Sequence, residues 1–156
     1  NESEEKTLEL TKIKKNLDAI GSYLLRQIDE DVKSYQPIQK YSAMPKDTPD
    51  WASHFDAALR IACQVPTEIL FAAAQAAKQL VALADVCNTS LLSDVGVGLE
   101  LCRAAMLASR FTIMTNAKGM QDEVFAMTLN RENAILFSEI DGIIDAGLKK
   151  VEASLA

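Results

Sequence analysis

Strand signals are almost absent from this sequence. No alternating run of Val, Ile, Thr or Tyr bounded by turn residues occurs, which excludes a β-sandwich or barrel. Aromatic residues are scarce, at 6%, while alanine is abundant, so the core is expected to consist of closely packed helices. Only one histidine is present, His54. It has no Cys or carboxylate at ligand spacing, which argues against a metal site, and no Ser or Cys partner that would make a nucleophilic triad. The three cysteines, Cys63, Cys87 and Cys102, are odd in number and widely spaced. They read as free thiols of a reducing compartment, not as disulfides. Positive charge is also in short supply: the net charge is −6, and a nucleic-acid backbone needs a basic stripe. Lys12, Lys14 and Lys15, and later Lys149 and Lys150, are interspersed with acids and read as solvated helix faces.

Apolar residues make up 49% of the 156 residues, enough for one globular domain with a real core. The apolar stretches 66–87 and 95–116 are interrupted by Glu68, Lys78, Asp85, Glu100, Arg103 and Arg110. They are expected to be core helices, not membrane spans. The opening Glu2, Glu4, Glu5 and Lys6 do not resemble a signal peptide, so a cytoplasmic protein is expected. The first helix also lacks a convincing cap, which leads us to expect a missing upstream part.

Periodicity predicts about five helices, three of them long. Leu10, Ile13, Leu17, Ile20, Leu24, Ile28, Val32 and Tyr35 recur at three- and four-residue steps over 4–35. Pro37, Pro45 and Pro49 then mark a connector over 36–49. Thr48-Pro49 reads as the cap and first position of a helix to about Gln64. Pro66 opens or kinks the next helix, which runs to about Val86 and is apolar over more than half its circumference. Neighbours on several sides, or a second subunit, are expected to cover it.

A polar loop, Asn88 to Asp94, leads into a helix over about 94–116. There Gly96, Gly98, Ala104, Ala105, Ala108 and Ser109 allow a neighbouring backbone to come close. Local chemistry makes Ser93-Asp94 a helix cap. Gly119 suits the left-handed position after the helix. The last helix spans about 122–153, with Gly142 and Gly147 weakening it by roughly 1 kcal/mol each. Val95-Gly96-Val97-Gly98 has neither the strand before it nor the lysine after it that a phosphate loop requires. Met106, Met114, Met120 and Met127 read as core filler.

Five stretches together resemble the formiminotetrahydrofolate cyclodeaminase and methenyltetrahydrofolate cyclohydrolase family. Asp29-Glu30-Asp31-Val32-Lys33-Ser34-Tyr35 is similar to its D-x-D-x-x-x-[FY] helix end. Met44-Pro45-Lys46-Asp47-Thr48 is similar to its L-P-K-[ND]-T loop. Val65-Pro66 matches its V-P helix start, and Asn88 with Ser93-Asp94 its G-N…S-D loop. Thr112-Ile113-Met114-Thr115-Asn116, followed by Asp122-Glu123-Val124-Phe125, resembles N-V-x-I-N…D-E-A-F. Thr112 and Thr115 depart from that pattern. The family's glycine-rich opening segment has no counterpart in the sequence.

This resemblance implies an all-helical homodimer that binds reduced folate in a cleft associated with the subunit interface, without metal or nucleotide cofactor. It implies closure of 5-formiminotetrahydrofolate to 5,10-methenyltetrahydrofolate with release of ammonia, or interconversion of the methenyl and 10-formyl forms. Asp94 becomes the first acid–base candidate, with Asp29 or Asp31 second. Lys46, Asn116, Tyr35 and Asn88 become candidates for holding the substrate. The competing reading is a helical homodimer that keeps the bundle and has lost the chemistry.

Overall fold

The computed structural model describes residues 2–156, and every described element is helical. Helix α1 spans Glu2–Ser42, α2 Trp51–Val86, α3 Leu92–Ala117 and α4 Glu123–Leu155, with one 3-10 turn over Thr89–Leu91 before α3. Four helices replace the five expected, because α2 continues through Pro66; α1 likewise continues through Pro37 to Ser42. The chain runs up and down. Asn16 meets Gln79 and Tyr23 meets Glu68, so α1 and α2 are antiparallel. Cys63 meets Ile113 and Leu80 lies against Gly98, which makes α2 and α3 antiparallel. Arg103 meets Asp141 and Gly96 lies against Val151, which does the same for α3 and α4.

Helix α2 is central and packs on the other three. Its buried Ala58, Ala62, Ala73, Ala74 and Ala77 let those neighbours approach. On length and hydropathy alone α2 could cross a bilayer; here much of its apolar surface faces other helices of the bundle. Leu70, Leu99, Met106, Ile113, Ile140 and Ile144 are fully buried and fill the space between α2, α3 and α4.

Several local expectations are corrected. Helix α3 begins at Leu92, so Asp94 lies in its first turn and makes no cap hydrogen bond. The α2 N-cap is Asp50, at φ 59°, not Thr48. Gly119 does not adopt positive φ. A Cβ there would stand 2.9 Å from Leu59 Cδ1, so close packing is what selects glycine. Met106 and Met120 are core residues, whereas Met114 and Met127 lie on the surface. The α1 stripe is buried at Ile13, but Ile28, Val32 and Tyr35 point outward, and the inward position at 27 is a buried glutamine.

Candidate functional site

The up-and-down topology sorts the polar residues to the two ends of the bundle. One end gathers the α1 C-terminus, the loop 43–50, the start of α2, the end of α3 and the start of α4. An ion-pair network there joins the start of α2 to the loop after α3 and the start of α4. Asp56 accepts the backbone N–H of Gln121 at 2.6 Å and pairs with Arg60 Nε at 2.9 Å. Arg60 Nη2 reaches Asp122 at 3.0 Å. Asp122 in turn caps α4 by accepting the N–H of Phe125 at 2.9 Å, and the Arg60 guanidinium lies 4.3 Å from the Phe125 ring centroid.

Burial pulls the Asp56 carboxyl upward. The N–H of Gln121 and the Arg60 guanidinium outweigh that and hold it below the usual carboxylate range. A carboxyl depressed in the folded state adds stability above its unfolded pKa of about 3.9, and that stability is lost as pH falls through the lower folded value. Acid titration monitored by circular dichroism should therefore show the protein weakening below about pH 4. Asp56→Asn should flatten that acid limb and cost about 1–3 kcal/mol near neutral pH, because the charge-assisted bonds are gone at every pH. An unchanged acid limb would remove Asp56 from this role.

Asn116 sits at the same end, and its place is set by Pro66. A proline in mid-helix lacks the N–H that would bond the carbonyl four residues back, here that of Ala62. Asn116 Nδ2 donates to that carbonyl oxygen at 3.2 Å. This bond satisfies a carbonyl the helix leaves free and ties the end of α3 to α2. Lys46 is exposed in the loop 43–50, with its ammonium 5.8 Å from the Trp51 ring centroid. Trp51 stacks on Phe55 and donates its indole N–H to the carbonyl of Tyr41. Tyr35 is half-exposed, and Asp29 and Asp31 are exposed on α1.

Asp94 and Asn88 occupy the opposite end. Asn88 caps the 3-10 turn by accepting the N–H of Ser90 at 3.3 Å. Asp94 is exposed at the start of α3, so one chain by itself does not enclose it. It lies 22 residues before Asn116 on one continuous helix, which is about 33 Å at 1.5 Å per residue. A single chain therefore brings Asn116 and Lys46 to one end and leaves Asp94 at the other.

Three clefts lie between the helices. An apolar groove of about 600 Å³ between α1 and α2 is lined by Ala19, Ile20, Phe71 and Ala72. It adjoins a more polar cleft of about 520 Å³ around Gln27, Lys33 and Gln64. A third, of about 570 Å³, lies beside Arg60, Cys63 and Phe125. The seven candidate residues line none of these three. Sequence reasoning missed the Asp56–Arg60–Asp122 network, whose signal was an acid four residues before an arginine on one helix face. Among the described residues no group of three His, Cys, Asp or Glu is placed to hold a metal ion.

The sequence profile of the formiminotransferase-cyclodeaminase family matches residues 1–134. The chain belongs to that family. The match takes in α1 to α3 and the first turns of α4, and all seven candidate residues fall inside it. The methenyltetrahydrofolate cyclohydrolase of Methylorubrum extorquens is 22% identical over 135 residues, covering 84% of this chain and 65% of that protein. The formimidoyltransferase-cyclodeaminase of Mus musculus is 26% identical over 125 residues, covering 78% of this chain and 23% of that protein. The crystal structure of formiminotetrahydrofolate cyclodeaminase from Thermotoga maritima superposes with a TM-score of 0.62 at 21% identity. That superposition covers 97% of this chain and 65% of that one. The chain thus spans somewhat less than two thirds of the length of the cyclohydrolase and of the cyclodeaminase structure it matches. At that identity the structural likeness shows the fold.

Proposed function

We propose that the protein works on reduced folate in one-carbon transfer, in the cytoplasm, as a homodimer and without a metal or nucleotide cofactor. The reaction is closure of 5-formiminotetrahydrofolate to 5,10-methenyltetrahydrofolate with loss of ammonia, or hydrolysis of the methenyl form to 10-formyltetrahydrofolate. The observation that carries this reading is the family match over residues 1–134, with relatives named for both chemistries.

In the closure reaction, folate N10 attacks the formimino carbon. The resulting tetrahedral centre collapses as the nitrogen leaves, so N10 must lose a proton and the leaving nitrogen must gain one. A positioned acid–base group is typically worth 10²–10⁴-fold. Asp94 takes that role, with Asp29 or Asp31 as the second carboxylate. A carboxylate enclosed by apolar helices and ligand can exchange protons near neutrality, and a second chain together with bound folate would supply the enclosure. Lys46 pairs with the folate's glutamate carboxylate. Asn116 spends one N–H on Ala62, and its carbonyl oxygen and second N–H suit the amide-like edge of a pterin. Tyr35 and Asn88 complete the binding surface.

A non-catalytic helical homodimer is the second reading. It draws on the distance between Asp94 and Asn116, and on Thr112, whose hydroxyl donates to its own helix at Ala108. Assays of the methenyl chromophore and of ammonia on one sample separate the cases. Methenyl formation with equimolar ammonia supports the cyclodeaminase. Methenyl loss without ammonia supports the cyclohydrolase. No turnover, with no calorimetric heat from tetrahydrofolate, leaves the non-catalytic dimer.

A further inference from the structure

Pro66 lies buried in the interior of α2, where proline is the least favourable residue. It has no N–H for the carbonyl of Ala62, and its ring pushes that carbonyl out of line. Pro37 does the same in α1, but the carbonyl it frees belongs to Lys33, which is exposed and open to water. Ala62 is only 3% exposed. A carbonyl shut away from water needs a donor from the protein. Asn116 supplies it, with Nδ2 at 3.2 Å.

A carbonyl oxygen only accepts, so the Asn116 amide must turn its nitrogen toward Ala62 and its oxygen away. Other contacts already hold the two helices together here. Ile113 and Ala117 are buried, Cys63 Sγ lies 3.8 Å from the Ile113 oxygen, and Leu59 packs against Gly119. The bond from Asn116 is therefore not needed to place α3 on α2. What it adds is the sense of one amide. Thr112 and Thr115 give no such link, since their hydroxyls bond their own helix at Ala108 and Phe111. Asn116 is half-buried, so the rest of its amide can meet a ligand.

We infer that Pro66 is a positioning residue of the proposed folate site: by freeing the Ala62 carbonyl, it fixes the way the Asn116 amide faces the ligand. Oδ1 and the second N–H then suit a ring edge that sets an N–H beside an acceptor, as a pterin does, and Oδ1 disfavours an edge of acceptors alone. The inference rests on the folate reading and adds a residue that sets its specificity without touching the ligand. An alanine at 66 would suit the helix better. Its N–H would draw the Ala62 carbonyl back into the helical ladder, and the Asn116 amide would be free to turn over.

Pro66→Ala in the full chain is the test. Its denaturant midpoint should rise at constant slope, because a proline leaves a helix interior. By NMR, one of the two Nδ2 protons of Asn116, assigned by their loss in Asn116→Ala, should exchange slowly with water in wild type. In Pro66→Ala it should lose that protection. Calorimetric affinity for tetrahydrofolate should fall about 3- to 10-fold, the worth of one hydrogen bond. In turnover KM should rise with kcat unchanged, since the amide holds substrate and transition state alike. In an Asn116→Ala background, Pro66→Ala should lower affinity no further. A merely structural proline would move the midpoint and none of the other readings. Pro66→Val restores the same N–H at nearly the proline's volume, and it should repeat these changes if the space left by Pro66→Ala weakens the fold. Protection of the Asn116 amide that survives both substitutions overturns the inference. So does a wild-type affinity once that protection is lost; both results leave the folate reading intact. No heat from wild type with tetrahydrofolate removes the folate reading and the positioning role together.

Discussion

Asp94→Asn should lower the rate of methenyl formation by about 10²–10⁴-fold while leaving the fold nearly as stable as before. The two effects separate because of where the residue sits. Asp94 is exposed in the first turn of α3 and makes no cap hydrogen bond. Its charge near the helix N-terminus is worth only about 0.3–1 kcal/mol, and the amide keeps its shape. A purely structural Asp94 would show that small loss of stability and full turnover. Asp29→Asn and Asp31→Asn are the comparison, because both carboxylates are exposed on α1 and only the one facing bound folate should matter. Complementation adds a test that no structural role imitates. If the site takes Asp94 from one chain and Asn116 from the other, Asp94→Asn and Asn116→Ala are each inactive alone. Co-refolding them in equal amounts should restore about a quarter of wild-type activity, since half the dimers are mixed and each carries one intact site of two. Two inactive variants that stay inactive together would place both residues in the same chain's site, or in none.

The helices were legible in the sequence because apolar residues repeat with the helical period over stretches long enough to leave no choice. What failed was punctuation. Pro66 was expected to open or kink a helix; it does not open one, since α2 runs through it, and Asn116, 50 residues away, bonds the carbonyl that proline leaves free. No local rule can see a partner supplied by another helix. Gly119 was expected to serve by its handedness and serves by its size, which depends on Leu59 arriving from α2. The outward turn of Ile28, Val32 and Tyr35 was hidden for a related reason. A stripe drawn at three- and four-residue steps drifts around the helix, and Gln27 occupies the buried position that the pattern would assign to an apolar residue. The candidate site shows the same division. Motifs in family order picked out Asp94 and Asn116, but spacing along the chain cannot reveal that one helix carries them to opposite ends of the bundle.

Leu99→Ala should be the most damaging single substitution in the core, and the reason lies where α2, α3 and α4 meet. Leu99 is fully buried. A Cβ added at Gly147 would stand 3.1 Å from Leu99 Cδ1 and 2.9 Å from Val81 Cγ2. Three helices thus meet on one leucine, one valine and one glycine. Removing the leucine side chain from such a site costs about 2–5 kcal/mol, out of a total stability of about 5–15 kcal/mol. Gly147→Ala errs the other way. Its methyl collides with a β-branched valine that has little rotamer freedom, so overpacking of about 1–3 kcal/mol should exceed the roughly 1 kcal/mol gained in helix propensity. Gly142→Ala on the same helix isolates that propensity gain, because nothing lies within 4 Å of its added Cβ; it should stabilise by up to about 1 kcal/mol. The double variant Leu99→Ala/Gly147→Ala decides whether the crossing is one packing unit. The new methyl can lean into the space the leucine vacates, so the pair should cost less than the two singles together, by about 0.5–3 kcal/mol in denaturant midpoints at constant slope. Strict additivity would mean that Val81 alone dictates glycine at 147. The close approach of α4 to α3, five residues beyond Asp94, would then be set by α2 and not by the pair of helices that meet there.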